Sequence, residues 1–165
     1  MQIRGAGLLL LVSLSCSTAM AQPDMRISAD LGALTPAQRN AIAEASEVMR
    51  EFMLTFNAQD PDRWAQTLLF PHVRISSGGV VVHPSREEFV AQMDFQAFAR
   101  NYNWQRSAWD RLEVIQVGPN KVHIAVQFTR YDAEQNPQAS FDSLYILQRN
   151  ARGQWGIRAR SSFAP

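Results

Sequence analysis

Three side chains in this sequence are of the types that proton-transfer chemistry uses: His72, Asp110 and Tyr131. A neutral imidazole at His72 can act as a general base. Asp110 sits in "WQRSAWDRLEV", residues 104–114, next to two tryptophans. A carboxylate beside aromatic walls can serve as a proton shuttle. Tyr131 would be the donor that holds a developing oxyanion. Each residue also has a plainer reading. His72 can be a strand-entry histidine capped by backbone, and Asp110 can accept a hydrogen bond from Ser107 or a backbone amide. Both readings stand at this point.

Other chemistries lack their residues. The three histidines, His72, His83 and His123, have no metal-ligand spacing, so no metal is expected. No cofactor is expected either: "GPN" and "SSGG" are turn sequences, and neither leads into a helix with Gly-Lys spacing. There is no Gly-x-Ser-x-Gly motif. Trp64, Trp104, Trp109, Tyr131 and Tyr145 could line an apolar pocket or be plain core. Arg158 and Arg160 alternate along the last strand and so share a face. They could bind an anion bidentately or form ion pairs across the sheet. His83 precedes Pro84 at a hairpin end and reads as a surface residue.

The elements that must position these residues follow from pattern. "TPAQ" offers Thr35 as N-cap, Pro36 as first helical residue and Gln38 as reciprocal cap. Ile42, Ala45, Met49, Phe52 and Phe56 then form one apolar helical stripe. "DPDRW" starts a second, short helix whose buried face is Trp64, Leu68 and Leu69. "PHVRISSGGVVVHP" reads as a hairpin, and "SREE" caps a third helix through about Asp94, with a helical extension ending near Asn101. The rest is β: a long hairpin turning at "GPNK" and a second turning at "NARG". The fold class is α+β, with three helices packed on one face of a curved antiparallel sheet.

Strand parity makes a specific expectation for the long hairpin. With Val117 opposite Val122, one face carries Trp109, Arg111 and Glu113 against Val126, Phe128 and Arg130. The other carries Asp110, Leu112 and Val114 against Gln127, Thr129 and Tyr131. Both faces then hold apolar residues, which predicts that helices cover one and a second subunit the other.

The chain has 165 residues, which suits one domain. Its start, "MQIRGAGLLLLVSLSCSTAMAQ", has a basic residue, a short apolar run and small residues ending "AMA". This predicts a signal peptide cleaved after Ala21, and a periplasmic or secreted protein. Cys16, the one cysteine, is an alternative lipidation site, although Ser13 stands where an apolar residue is usual. Residues 22–34 read as a tether and 35–165 as the domain. Without Arg4 the 16 basic residues become 15, equal to the 15 acidic ones, and this balance argues against a nucleic-acid partner. No segment is long and apolar enough to predict a membrane span.

The element order and three local stretches, "LLFPHVRI", "VVVHPSREEFV" and "GQWGIRARSSF", resemble the nuclear transport factor 2-like superfamily over residues 36–163. That group includes ketosteroid isomerase and the SnoaL-like cyclases. The resemblance implies a cone whose open end holds a pocket, often in a homodimer joined through the sheet. It also implies that His72 occupies a pocket position, and that the last strand turns Ala159 and Ser161 toward the pocket. Two functions fit. One is an exported binder of a small apolar or aromatic ligand; the other is a cofactor-independent lyase or isomerase acting on a carbonyl compound. The fold does not choose between them.

Overall fold

Thr35 closes the predicted capping box: its side chain accepts from the Gln38 amide while Gln38 reaches back to the Thr35 amide. The computed structural model describes residues 22–165. The cleavage site after Ala21 and the reading of Cys16 lie outside the described residues. Helix α1 (Pro36–Asn57) buries the predicted stripe, with Ala45 and Met49 fully enclosed. Helix α2 (Pro61–Gln66) is capped by Asp60. It stops before Leu68, which starts a strand instead. Helix α3 (Arg86–Gln92) is capped by Ser85, and α4 (Phe95–Tyr102) by Asp94, whose carboxylate accepts from the Ala97 amide. Among the described residues four α-helices therefore replace the three expected, because Asp94 competes for a cap and splits the last one.

The sheet has seven strands: β1 (Arg26–Ile27), β2 (Leu68–Ser76), β3 (Gly79–His83), β4 (Arg106–Gly118), β5 (Lys121–Tyr131), β6 (Pro137–Arg149) and β7 (Trp155–Ser162). Their spatial order is β1-β4-β5-β6-β7-β2-β3. The long meander is antiparallel as expected, but the sheet as a whole is mixed. The β2–β3 hairpin joins it through a parallel β2–β7 pair, and β1 runs parallel to β4. The segment read as a tether is thus held to the sheet edge, with Met25 and Leu31 packed on the core. Gly156 lets β7 pass close to β2, since a Cβ there would lie 2.9 Å from Leu69.

Bulges set which residues face the helices. Asp110 and Ile115 are extra residues in β4, and Arg158 is an extra residue in β7. One extra residue reverses the alternation beyond it. Trp109 still faces inward opposite Phe128, but past Asp110 it is Leu112 and Val114 that turn into the core, opposite Val126 and Ile124. Arg111 and Glu113 move to the outer face. The two-sided apolar pattern expected of this hairpin is therefore absent: its buried aliphatic residues are gathered on one face. In β7 the bulge puts Ile157 and Arg160 on the inner face and Arg158 on the outer one, where it donates to Gln148 and to the Pro71 carbonyl.

Candidate functional site

Between the inner sheet face and the helices lies a cavity of about 290 Å³. Helix α1 contributes Phe52 and Phe56, α2 Trp64, α3 Phe89 and α4 Phe98. The apolar periodicity of the helices places these rings. They contact one another and the sheet: Phe52 lies edge-on to Tyr145 with centroids 5.5 Å apart, and Trp109 stands perpendicular to both Tyr145 and Phe128. One side of the chamber is therefore a continuous aromatic surface.

The sheet side carries charge. Arg74 of β2, Arg160 of β7 and Arg130 of β5 all line the cavity. Arg74 and Arg160 are direct partners across the parallel β2–β7 pair, and Arg160 is opposite Tyr145 across β6–β7. The Arg160 guanidinium lies 5.5 Å from the Phe52 ring centre and 5.3 Å from that of Trp64. Arg130 stands over Phe98 and Tyr102 at 5.0 and 4.9 Å. Burial draws the Arg130 pKa below its ordinary value; Tyr102 opposes it, and the like charges of Arg74 and Arg160 add smaller pulls in the same direction as burial. Burial raises that of Tyr145, against the opposing pull of Arg160.

The residues expected to act together are separated. His72 is fully buried behind the chamber rather than lining it. Its Nδ1 is 3.0 Å from the Ile157 carbonyl, which can only accept, so Nδ1 carries the proton and Nε2 is bare and without a partner. Burial first, and the charge of Arg160 next, lower its pKa to about 3. Asp110 is exposed on the outer face and accepts from the Thr129 hydroxyl at 2.6 Å. Tyr131 is covered by the Arg106 guanidinium, 3.9 Å from its ring centre, and does not line the cavity. No point in the chamber is shared by these three, and for Asp110 the reason is the bulge at that very residue.

Of the expected pocket residues, Trp64, Trp109 and Tyr145 line the cavity. Trp104 is core beneath it, its indole donating to Ser107 at 2.9 Å. Ser161 is exposed outside, because the Arg158 bulge turns Ser162 inward in its place. The same bulge separates the Arg158–Arg160 pair expected on one face. His83, read as a surface residue, lines the chamber with Nδ1 buried and unpartnered. Burial and the charge of Arg160 lower its pKa. Arg74 could have been found by counting two residues on from His72, and Arg130 from its expected place beside Trp109. Among the described residues no group of three or more His, Cys, Asp or Glu could hold a metal ion, and no helix is long and apolar enough to cross a membrane.

A curved sheet folded over helices around such a chamber is the cystatin-like arrangement of known structures. A protein of unknown function with a cystatin-like fold from Nostoc punctiforme superimposes with a TM-score of 0.62 at 16% identity, over 80% of this chain and 94% of that one. A Catenulispora acidiphila protein solved in complex with S-DNPA gives 0.60 at 17% identity, covering 76% and 94%. A ketosteroid isomerase-like protein from Erwinia carotovora gives 0.53 at 17%, covering 74% and 96%. At these identities the likeness is one of fold. No curated protein matches the chain. The sequence family described as NTF2-like protein (DUF6841) matches residues 43–163, and the chain belongs to it.

Proposed function

We propose that this is an exported small-molecule-binding protein whose ligand occupies the chamber between the helices and the sheet. The observation that carries the reading is the chamber itself: about 290 Å³, walled by aromatic side chains on the helix side and by polar groups, Arg74, Arg130 and Arg160 among them, on the sheet side. A neighbour of the same fold was solved in complex with S-DNPA, which supports reading this fold as able to carry a ligand. Export rests on the N-terminal sequence. A second copy docked on the outer sheet face is part of the proposal; it rests on half-buried Leu144 and Ile146 and exposed Ile115, and size-exclusion chromatography of the purified protein tests it.

The test is thermal melting of the purified protein with small aromatic and alicyclic compounds. A ligand at a hundredfold excess over its Kd adds about 2.7 kcal/mol of stability. Ser162→Trp would put an indole into the chamber and should abolish the shift. Shifts that survive this block, or a panel without any, reject the reading. Export is tested by N-terminal sequencing of protein recovered outside the cytoplasm, where Gln22 should come first.

Acid–base turnover is the second reading, and His83 favours it over the residues first expected. Its imidazole faces the chamber that also holds Tyr145 and Arg160, the groups that could stabilise an oxyanion. Turnover of a bound carbonyl compound that His83→Gln removes while binding persists would replace the first reading with this one.

A further inference from the structure

We propose that Arg130 and Arg160, flanked by Arg74, form the head-group site for an organic carboxylate whose one- or two-ring apolar body fills the aromatic part of the chamber. This rests on the chamber being a ligand site and adds the chemical class of the ligand.

Three cations share the cavity wall, and no Asp or Glu side chain lines it. Among the described residues Arg50, Arg63, Arg86, Arg111 and Arg149 each have a carboxylate within 4.0 Å, while Arg130 and Arg160 have none; arginines outside the chamber such as Arg106 and Arg158 also have none, but neither has a buried Nε without an acceptor. Arg74 donates one bond, 2.7 Å, to the main-chain oxygen of Pro165. The Nε atoms of Arg130 and Arg160 are buried without an acceptor, and so is Nε1 of Trp64. These are all donors, so what satisfies them must bring acceptors.

The arrangement also works against folding. Like charges directly opposite on neighbouring strands repel, and Arg74 and Arg160 are such a pair. Two of the guanidiniums stand near aromatic rings, at 5.0 and 5.3 Å, and the Nε of each keeps no acceptor, although Tyr145 is hydrogen-bonded to Arg160. A guanidinium edge suits the two oxygens of a carboxylate. The chain carries a formal charge of only +1, so the positive field is local to the chamber and not a property of the whole surface. Size limits the body. About 150 Å³ holds a benzene ring, so a chamber of about 290 Å³ suits one or two rings plus a head group.

The experiment compares 2-naphthoate with neutral 2-naphthamide by calorimetry on the full purified protein. Naphthoate should bind at least about tenfold more tightly, as charge-assisted hydrogen bonds imply. Arg130→Gln and Arg160→Gln should each erase most of that preference and leave naphthamide affinity within about threefold. Arg111→Gln, on the outer face, should change neither. Equal affinity for the two compounds on the wild-type protein overturns the carboxylate inference and leaves the chamber reading intact. Binding of neither overturns both. Should a Gln variant fail to fold, the wild-type comparison decides alone.

Discussion

The two faces of the sheet treat charge in opposite ways. On the outer face Arg111 pairs with Asp142 at 3.0 Å, and Asp110 is held by Thr129. These groups are solvated as well as paired, so their net worth is small. On the inner face Arg130 is only 7% exposed and has no carboxylate partner, and Arg160 faces Arg74. Aromatic rings offset part of that cost, but rings are weaker partners than carboxylates. The outer face reads as a surface that folding alone explains. The inner face keeps unpaired cations and two neutral histidines together, which folding alone would select against.

The largest expected effect concerns the neutral histidines. His72 takes up a proton near 6.5 when unfolded and only near 3 when folded. Between those values the unfolded chain binds more protons, so stability falls as pH drops from about 6.5 toward 3. The loss should reach the order of a few kcal/mol. His72→Gln, which can still donate to the Ile157 carbonyl, should flatten that part of the profile relative to wild type. Denaturant midpoints measured from pH 7 to pH 4 provide the check, and parallel curves would falsify the assignment.

A smaller effect has the opposite sign. Arg130→Met replaces a buried, unpaired cation by an apolar side chain of similar length. In the absence of ligand it should raise stability by about 1–3 kcal/mol, the range seen when buried charges are exchanged for well-packed hydrophobic groups. Arg111→Met on the outer face should stay within about 0.5 kcal/mol. A destabilised Arg130→Met protein would mean that the rings around Arg130 already satisfy it, and the contrast between the faces would disappear.

The sequence carried the helices because their signals are local. The Thr35 box, the Pro36 start and the Ile42–Phe56 stripe each lie within a few turns. It carried the fold class and the aromatic half of the site through Trp64, Trp109 and Tyr145. The charged half was only partly legible. Parity from the "GPNK" turn is sound up to Gln116, opposite His123, and fails at Ile115, where the first bulge lies. A second shift at Asp110 returns Trp109 to the face first expected, so it was read correctly through compensating errors, while Phe128 and Arg130 follow the unbroken alternation of β5. Neither bulge carries a glycine or proline to announce it. The single shift at Arg158 had no such compensation, so Ala159 and Ser161, expected toward the pocket, lie outside it, and Arg160, expected beside Arg158, lies within it. His83 was missed for a different reason: the residue before a proline at a hairpin end looks exposed unless the parallel β2–β7 pairing is known.

The smallest expected effect tests whether Asp110 belongs to the outer face in function as well as in geometry. The carboxylate accepts from the Thr129 hydroxyl, which also lies 2.6 Å from the Ser140 hydroxyl, so a short polar chain joins β4, β5 and β6 outside the cone. Asp110→Asn keeps an acceptor oxygen at that place and removes only the charge. Because the group is exposed, the change should cost less than about 1 kcal/mol. Thr129→Val cuts the chain at its centre, leaves the partner hydroxyl and carboxylate to water, and should cost about as little. Neither substitution touches the chamber, so 2-naphthoate affinity should stay within about twofold in both. A loss of ligand binding or turnover in Asp110→Asn, with folding intact, would tie the outer face to the site through the sheet, and the separation of the two faces would fail at the residue where the strand bulges.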